Sequence, residues 1–303
     1  MVHHKSGRRQ AAGHIPRLFL ALVGFATVRD GSAFVQLPSF SVSLRPAPRF
    51  SMQLSGAAPA KFSLPDASEL AFDSAYVGAD GSRRGFSNWL LPGSVMVGRY
   101  PHGTPFGSKT GRPGAEESRE HIRKVLEAGV TTFVCLQEEV PPQDDDAAWN
   151  GQEMVPLPDE EKRAKYPEGF QRYYADAEEL ASTVEGCKAL RFIHLPIKDF
   201  GTPSESGLSS TLEELAEDIT VRDRAVYIHC WGGRGRAGTV GACLLLKLVT
   251  WDGATAEEAA AATLALVQAG YDSRVGEDGG GSLSPETEAQ REFVAAFAKT
   301  MLP

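Results

Sequence analysis

The chain has 303 residues, of which 42% are hydrophobic and 23% charged, and its formal net charge is −8. Seven of the 31 basic residues but one of the 39 acidic residues lie in the first 56 positions, so the remainder holds 24 basic and 38 acidic residues. Such an acidic body excludes nucleic-acid binding through bulk charge. The four cysteines have no CxxC or other regular spacing and the seven histidines are scattered, so we predict no metal site and no cofactor.

The first 56 residues have the composition of a targeting sequence. Residues 1–33 resemble a secretory signal, because a basic stretch precedes the eleven-residue apolar run 18–28, which is too short for a permanent membrane span. Residues 34–56 lack acids and are rich in serine, which is typical of a plastid transit peptide. The junction before Phe34 resembles the cleavage site of a bipartite plastid presequence. We therefore expect removal of residues 1–56 and a plastid stromal location, with ordinary secretion as the alternative and no membrane attachment of the mature form.

The mature length suits one compact domain, predicted at 88–303, preceded by a flexible arm at 57–87 that is small, polar and glycine-rich. Short β-rich apolar runs predict strands at 95–98, 131–136, 191–195 and 225–229. Helical periodicity predicts helices at 115–128, 173–186, 207–220, 237–250, 255–269 and 285–300. This alternation predicts an α/β fold with a mixed, largely parallel sheet covered by helices on both faces, and a site at the carboxyl end of a central strand.

Residues 138–172 interrupt this alternation. They lack periodicity and are rich in Pro, Asp and Glu. A long segment of this kind within a compact domain is typical of a functional loop. We predict an insertion near the rim of the active site.

The segment 225–239, AVYIHCWGGRGRAGT, is the most informative part of the chain. An apolar strand ends at Cys230, and Gly232, Gly233 and Gly235 allow a loop whose N–H groups turn inward around an anion. A helix beginning near Arg236 adds its positive end, and the arginine fork can hold two phosphate oxygens. This setting predicts a phosphate site in which Cys230 is the nucleophile, in its thiolate form.

These residues resemble the signature of cysteine-dependent (CX5R) protein tyrosine and dual-specificity phosphatases. The form CWGGRGR is most similar to the kinase-associated phosphatase subgroup, and the resemblance extends over roughly residues 88 to 303. It implies the protein tyrosine phosphatase-like α/β fold and a phosphocysteine intermediate. It also implies that His229 orients the loop and supports the thiolate, and that an aspartate about thirty residues upstream is the general acid.

Asp199 lies in LPIKDFGTP, 31 residues before Cys230. A phenolate or alkoxide leaves poorly unless it is protonated as its bond to phosphorus breaks, so a carboxyl group near that oxygen is required. The glycine and proline that follow Asp199 predict a closing loop, after which Ser204 or Ser206 caps a helix. A rhodanese-type sulfurtransferase needs no such aspartate. A nucleotide-binding P-loop is excluded because its Gly-Lys-Ser/Thr ending is missing.

Ala237 departs from the family pattern, in which the residue after the arginine is Ser or Thr. A lost hydrogen bond to the thiolate, worth about 1.5 to 3 kcal/mol, slows hydrolysis of the phosphocysteine roughly tenfold to a hundredfold. Thr239 lies two positions further along the helix and is expected to face elsewhere. One alternative is therefore a phosphate-binding pseudophosphatase with weak turnover.

The expected substrate and partner is a phosphorylated protein carrying phosphotyrosine, phosphoserine or phosphothreonine. Trp231 and Arg234 occupy the variable positions of the loop, and each has two interpretations. Trp231 either stacks on the substrate or packs within the protein. Arg234 either favours a polyanionic substrate or is a solvated arginine. A phosphoinositide or glucan substrate is the second alternative. The sequence indicates no oligomeric state.

Overall fold

The computed structural model describes residues 62–78, 81–105, 112–276 and 281–302. The predicted signal-like segment 1–33, the transit-like segment 34–56 and the first residues of the predicted arm lie outside this range. Among the described residues, no helix combines the length and apolar character that a membrane span requires.

A mixed sheet forms the centre of the described domain. Its strands are β3 (Ser87–Leu91), β4 (Val95–Gly98), β5 (Val130–Gln137), β8 (Arg191–Ile197) and β9 (Ala225–His229). The spatial order is β3-β4-β9-β5-β8, with β3 antiparallel to β4 and the other neighbours parallel. The central strand β9 is buried along its whole length and ends immediately before Cys230. The sheet therefore carries the cysteine loop at its carboxyl edge, where ligands of parallel sheets bind.

Helices cover both faces of this sheet. The long helices are α1 (Ala115–Glu127), α4 (Tyr174–Ala181), α5 (Glu205–Thr220), α6 (Gly235–Leu248), α7 (Ala256–Asp272) and α8 (Glu288–Met301). Helices α5 to α8 share one apolar core with alternate sheet residues such as Val97 and Ile228, whereas α1 and α4 share the other with Met96 and Tyr227. Two separate cores on opposite faces follow from the alternation of side chains along each strand.

The predicted α/β class is confirmed, and each of the four predicted strands and six predicted helices has a counterpart within a few residues of its bounds. The largest shift is at 173–186, where α4 ends at Ala181, because the hydroxyls of Ser182 and Thr183 donate to carbonyl groups of its last turn.

Residues 62–87 differ from the predicted flexible arm. They form a short 3-10 helix (Ala67–Glu69) and the hairpin strands β1 (Ala75–Val77) and β2 (Arg83–Gly85). Leu70, with no exposed surface, and Phe86, with 1%, belong to the buried core. Because these two residues stand among polar residues and glycines, the sequence pattern did not predict their burial. A small, polar composition was therefore a poor guide to order in this segment.

The predicted insertion 138–172 is folded around local elements. These are α2 (Asp146–Trp149), α3 (Glu160–Lys165) and the paired strands β6 (Met154–Val155) and β7 (Phe170–Gln171). Trp149 is 1% exposed and its indole N–H donates to the Pro142 carbonyl at 2.8 Å. The guanidinium of Arg172 lies 5.4 Å from the Trp149 ring. Trp149 is thus buried with its indole N–H hydrogen-bonded, which explains how segment 138–172 keeps a fixed structure although its sequence has no periodicity.

A buried polar chain joins the N-terminal segment to the sheet. The Ser74 hydroxyl lies 2.5 Å from Nδ1 of His121 on α1, whose Nε2 lies 3.1 Å from the Tyr227 hydroxyl on β9. Tyr227 in turn donates to the Arg99 carbonyl at 2.7 Å. Burial, followed by the positive charges of Arg274 and Lys124, lowers the pKa of His121 to about 3. The ring is therefore neutral in the folded protein at neutral pH.

We expect acid to destabilise the protein through His121. Between about pH 6 and pH 4 the unfolded chain protonates this histidine, whose ordinary pKa is about 6.5, and the folded protein does not. Stability is therefore lost as the pH falls, by about 1.4 kcal/mol per pH unit from this group. In His121→Gln, the plot of unfolding free energy against pH between 6 and 4, measured by urea denaturation, will be shallower by that amount. Ser74→Ala keeps the titrating ring and will lower stability without changing the slope, whereas an unchanged slope in His121→Gln contradicts the assignment.

Candidate active site

The loop from Cys230 to Gly235 joins β9 to α6 at the carboxyl edge of the sheet. Cys230 is 3% exposed, and it lines a cavity of about 720 Å³ together with Asp199 and Arg236. The amides at the start of α6 have no side-chain cap. Uncapped amides at a helix N-terminus carry positive partial charge, so this end of α6 favours an anion.

Four successive carbonyl groups of the loop are held by hydrogen bonds from other segments. The Trp231 carbonyl accepts from the Tyr100 amide at 3.1 Å, and the Arg234 carbonyl accepts from the Ser284 hydroxyl at 2.8 Å. Between them, the Gly233 and Gly232 carbonyls accept from the Arg274 guanidinium at 3.0 and 3.5 Å. In a planar trans peptide the N–H points opposite to the C=O. The amides of residues 232–235 therefore point away from these partners, as an anion-binding loop requires.

Only one of the three loop glycines is required for its backbone conformation. Gly233 has a φ of 68°, and a Cβ there would lie 2.2 Å from the Gly98 carbonyl carbon. Gly232 and Gly235 do not have positive φ, contrary to the expectation that all three supply it. A Cβ on Gly232 would meet nothing within 4 Å, whereas one on Gly235 would lie 3.0 Å from the Gln290 side chain. Close packing, rather than backbone freedom, explains Gly235.

Arg274 holds the loop through hydrogen bonds to its carbonyl groups, on the side opposite to the anion-binding amides. Its side chain is almost fully buried after the end of α7, and its Nε donates to the Asn88 side-chain oxygen at 2.8 Å. One Nη donates to the Val97 and Gly233 carbonyls at 3.2 and 3.0 Å. A buried guanidinium requires such acceptors, because it loses its hydration on folding. It thereby ties the loop to β3 and β4.

Arg236 is fixed by three acceptors. Its Nη1 donates to Glu139 Oε2 at 2.7 Å and to the Ile197 carbonyl at 3.0 Å, and its Nη2 donates to Asp199 Oδ1 at 3.0 Å. Burial opposes the charge, but the Cys230 sulfur and Glu139 outweigh it and raise the pKa of Arg236. The guanidinium is therefore a permanent cation held at the cavity floor.

Asp199 lies at the start of a constrained loop. The next residue, Phe200, has a positive φ of 62° and is 56% exposed. The Gly201 carbonyl accepts a hydrogen bond from the side-chain amide of Gln290 at 2.9 Å. Ser204 caps α5 through a hydrogen bond from the Gly207 amide, so the first of the two predicted caps is the one used. The Asp199 side chain is 29% exposed and lines the cavity.

His229 does not line the cavity but lies behind it. It is fully buried, and its Nε2 lies 2.7 Å from the Tyr173 hydroxyl. Burial, followed by His194, lowers the pKa of His229, so the ring is neutral. Burial likewise raises the pKa of Tyr173, so its hydroxyl stays protonated. The neutral His229 ring, hydrogen-bonded to the Tyr173 hydroxyl, therefore fixes the end of β9 and adds no charge to the site.

Ala237 is fully buried in the first turn of α6. The nearest hydroxyl along the helix is that of Thr239, which is also fully buried and donates to the Gly235 carbonyl at 2.9 Å. Thr239 therefore does not replace the missing hydroxyl, in agreement with the sequence prediction.

Trp231 and Arg234 both line the cavity. The Trp231 ring contacts Phe170 edge-on with centroids 5.0 Å apart, which supports its interpretation as a packed aromatic. Arg234 forms an ion pair with Glu286, so its charge is compensated within the protein.

Sequence reasoning missed Glu139, Arg274 and Gln290, each of which holds a predicted site element. Glu139 lies inside the segment interpreted as an insertion, and Arg274 and Gln290 follow or begin helices whose polar positions looked solvated. No local pattern distinguishes these residues, because their partners are more than 30 residues distant in sequence.

Comparisons with known proteins found one similar family and several similar proteins. Residues 171–278 match a family described as Swiss Army Knife protein, DSP-PTPase phosphatase domain. Cyclin-dependent kinase inhibitor 3 from Rattus norvegicus is 47% identical over 55 residues, which are 18% of this chain and 26% of that protein. The protein of the same name from Homo sapiens is 46% identical over 55 residues, with the same shares. The match thus spans about a quarter of the length of these relatives.

Solved structures with similar folds include kinase-associated phosphatase with its catalytic cysteine replaced by serine. That structure is 20% identical, with a TM-score of 0.39, and the match covers 68% of this chain and 86% of that one. The active form of Tk-PTP is 19% identical, with a TM-score of 0.38, and the match covers 75% of this chain and 98% of that one. These likenesses are too distant to bear on the site.

The matched family segment contains Asp199, the whole loop from Cys230 to Arg236, and the bracing residue Arg274. Residues 171–278 are therefore similar to the phosphatase domain of the dual-specificity and protein tyrosine phosphatases.

Proposed function

We propose that this protein hydrolyses phosphomonoesters of proteins, on tyrosine, serine or threonine, through a phosphocysteine intermediate. One observation carries the proposal: Cys230, Arg236 and Asp199 line the same cavity, and Arg236 donates a hydrogen bond to Asp199. A nucleophile, a fixed cation and a carboxyl group within one cavity are the components that phosphoryl transfer to a thiolate requires.

In the first step, the Cys230 thiolate attacks phosphorus and the bond from phosphorus to the leaving oxygen breaks. The loop amides and Arg236 bind the equatorial oxygens, where negative charge accumulates. A phosphate oxygen that binds Nη2 of Arg236 competes with Asp199, because both use the same donor. Asp199, displaced but still in the cavity, donates its proton to the leaving oxygen.

In the second step, the Asp199 carboxylate takes a proton from water, and the resulting oxygen attacks the phosphocysteine. The phosphorus–sulfur bond breaks, the thiolate returns and inorganic phosphate leaves. Glu139 keeps Arg236 oriented through both steps, because its hydrogen bond to Nη1 does not compete with the phosphate-facing Nη2.

We expect the full chain to hydrolyse p-nitrophenyl phosphate and phenyl phosphate, and Cys230→Ser to abolish both activities. Asp199→Asn will lose about a hundredfold in kcat with phenyl phosphate and much less with p-nitrophenyl phosphate, because the better leaving group needs less protonation. Steady-state kinetics with both esters measure this difference.

Asp159→Asn is the matched control, because Asp159 lines the same cavity without contacting Arg236. It should affect the two esters equally. An Asp199→Asn variant that slows both esters by the same factor would remove the general-acid role and leave a purely structural one.

Ala237 favours a second candidate, a phosphate reader with weak turnover. Because Ala237 offers no hydroxyl to the departing thiolate, we expect phosphocysteine to accumulate, and Ala237→Ser to raise kcat about tenfold or more. Rapid quenching with acid, followed by mass spectrometry of the peptide containing Cys230, measures the intermediate. Equal intermediate levels and equal kcat in the two proteins would show that Ala237 is neutral.

Thiol modification tests the nucleophile independently of turnover. Burial raises the pKa of Cys135 to about 12 and also raises the pKa of Cys243. We expect the anionic reagent iodoacetate at pH 7 to modify Cys230 first, because the cavity attracts anions, and inorganic phosphate to protect it. Peptide mass spectrometry reports the order, and faster modification of the half-buried Cys187 contradicts the prediction.

A further inference from the structure

The aspartate loop, residues 198–203, begins with a tight turn in an unfavourable backbone conformation. The Gly201 amide donates to the Lys198 carbonyl at 2.8 Å, which closes the turn around Asp199 and Phe200. Phe200 takes its positive φ of 62° inside this turn. A bulky residue persists in such a conformation only when the surrounding structure holds it there. Because Phe200 itself is exposed, other residues have to hold the turn.

Two side chains of the described part of the chain donate hydrogen bonds to this turn. Arg236 Nη2 donates to Asp199 Oδ1 at 3.0 Å, and Gln290 Nε2 donates to the Gly201 carbonyl at 2.9 Å. In the proposed mechanism, a phosphate oxygen takes the Arg236 donor and displaces Asp199. The hydrogen bond from Gln290 uses a different donor and a backbone acceptor, so it stays in place while Asp199 gives up its proton.

Gln290 is itself fixed by hydrogen bonds at the start of α8. It has no exposed surface, and its Oε1 accepts from the Glu286 and Thr287 amides, both at 3.1 Å. The Thr287 hydroxyl accepts from the Gln290 backbone amide at 3.2 Å, which completes a capping box. The side-chain oxygen is therefore held toward the helix and the side-chain nitrogen toward Gly201.

The same part of the chain also contacts the cysteine loop. A Cβ on Gly235 would lie 3.0 Å from Gln290 Oε1, so the glycine leaves the space that this side chain occupies. Just before α8, the Ser284 hydroxyl donates to the Arg234 carbonyl at 2.8 Å, and Glu286 forms an ion pair with the Arg234 side chain. The start of α8 and the segment before it therefore connect the cysteine loop to the aspartate loop.

We propose that Gln290 is a positioning residue that keeps Asp199 at the cavity after phosphate has displaced it from Arg236. It acts through the Gly201 carbonyl rather than on the substrate. This inference rests on the proposed function and adds to it a residue outside the matched family segment 171–278. Without the hydrogen bond from Gln290, the unfavourable backbone of Phe200 relaxes once phosphate arrives, and the general acid moves away from the leaving oxygen.

Two substitutions test this role, because they share the loss of the donor but differ in charge and in capping. Gln290→Glu keeps an acceptor for the helix amides and presents an oxygen to the Gly201 carbonyl. Gln290→Met has a similar length, is neutral and removes both groups. In each variant we expect kcat with phenyl phosphate to fall about tenfold, and kcat with p-nitrophenyl phosphate to fall less than about threefold, because the better leaving group needs less protonation.

Thr287→Ala is the matched control, because it weakens the same helix cap and leaves the Gln290 donor in place. It should lower stability and keep the ratio of kcat for the two esters unchanged. In the Asp199→Asn background, either Gln290 substitution should slow phenyl phosphate hydrolysis by no more than a further factor of about two, because both residues serve one proton transfer. Equal slowing of the two esters, or full additivity with Asp199→Asn, overturns the proposal.

Hydrogen exchange separates this inference from the proposed function, because it requires no turnover. Mass spectrometry of the peptide covering 198–203 measures the exchange of its amides with and without inorganic phosphate. We expect phosphate to accelerate this exchange in Gln290→Met, and to change it little in the original protein and in Thr287→Ala. An inactive protein with this pattern supports the role of Gln290 and contradicts the enzyme. If phosphate causes no acceleration in Gln290→Met, the role of Gln290 is overturned, and an active protein then still keeps the proposed function.

Discussion

The site depends on the hydrogen bonds that keep the carbonyl groups of the cysteine loop pointing away from the anion-binding side. A glycine-rich loop has no preferred direction for its peptide groups, and each one that rotates would present a carbonyl, rather than an amide, to an anion. Tyr100, Arg274 and Ser284 prevent this rotation, and they come from two parts of the chain, one before the loop and one after it. The polarity of the loop is therefore imposed by tertiary structure, and Arg274 alone anchors two of its peptide groups.

A second constraint links the arginine of the loop to the aspartate loop. Glu139 and Asp199 hold opposite ends of the Arg236 guanidinium, and Gln290 holds the aspartate loop through Gly201. Glu139 and the Ile197 carbonyl are thus permanent partners of the cation, and Asp199 is the partner that a phosphate can replace. This division lets a single guanidinium orient the bound anion and release a carboxyl group for proton transfer, as the proposed mechanism requires.

The sequence was sufficient for the elements whose signals are local. Strand runs, helix periodicity and the spacing from Cys230 to Arg236 predicted the sheet, its coverage and the loop at its edge. The ordered segment before β3 was missed because its buried anchors, such as Leu70 and Phe86, are single apolar residues among polar ones. Glu139 and Arg274 were missed because a buried charge is recognised by its partner, and pairing across the fold leaves no periodic pattern in the chain.

The distance in sequence between the bracing residues has a consequence for folding. The segment from β9 to α6 is continuous, yet its loop is held by Tyr100 on one side and by Arg274 and Ser284 on the other. Contacts between such remote residues form late, because loop-closure entropy opposes them until the rest of the domain is in place. A chain still being synthesised holds Cys230 in an unorganised loop. In the proposed mechanism Cys230 acts together with the inward-facing amides of this loop, so the proposed chemistry requires the completed domain.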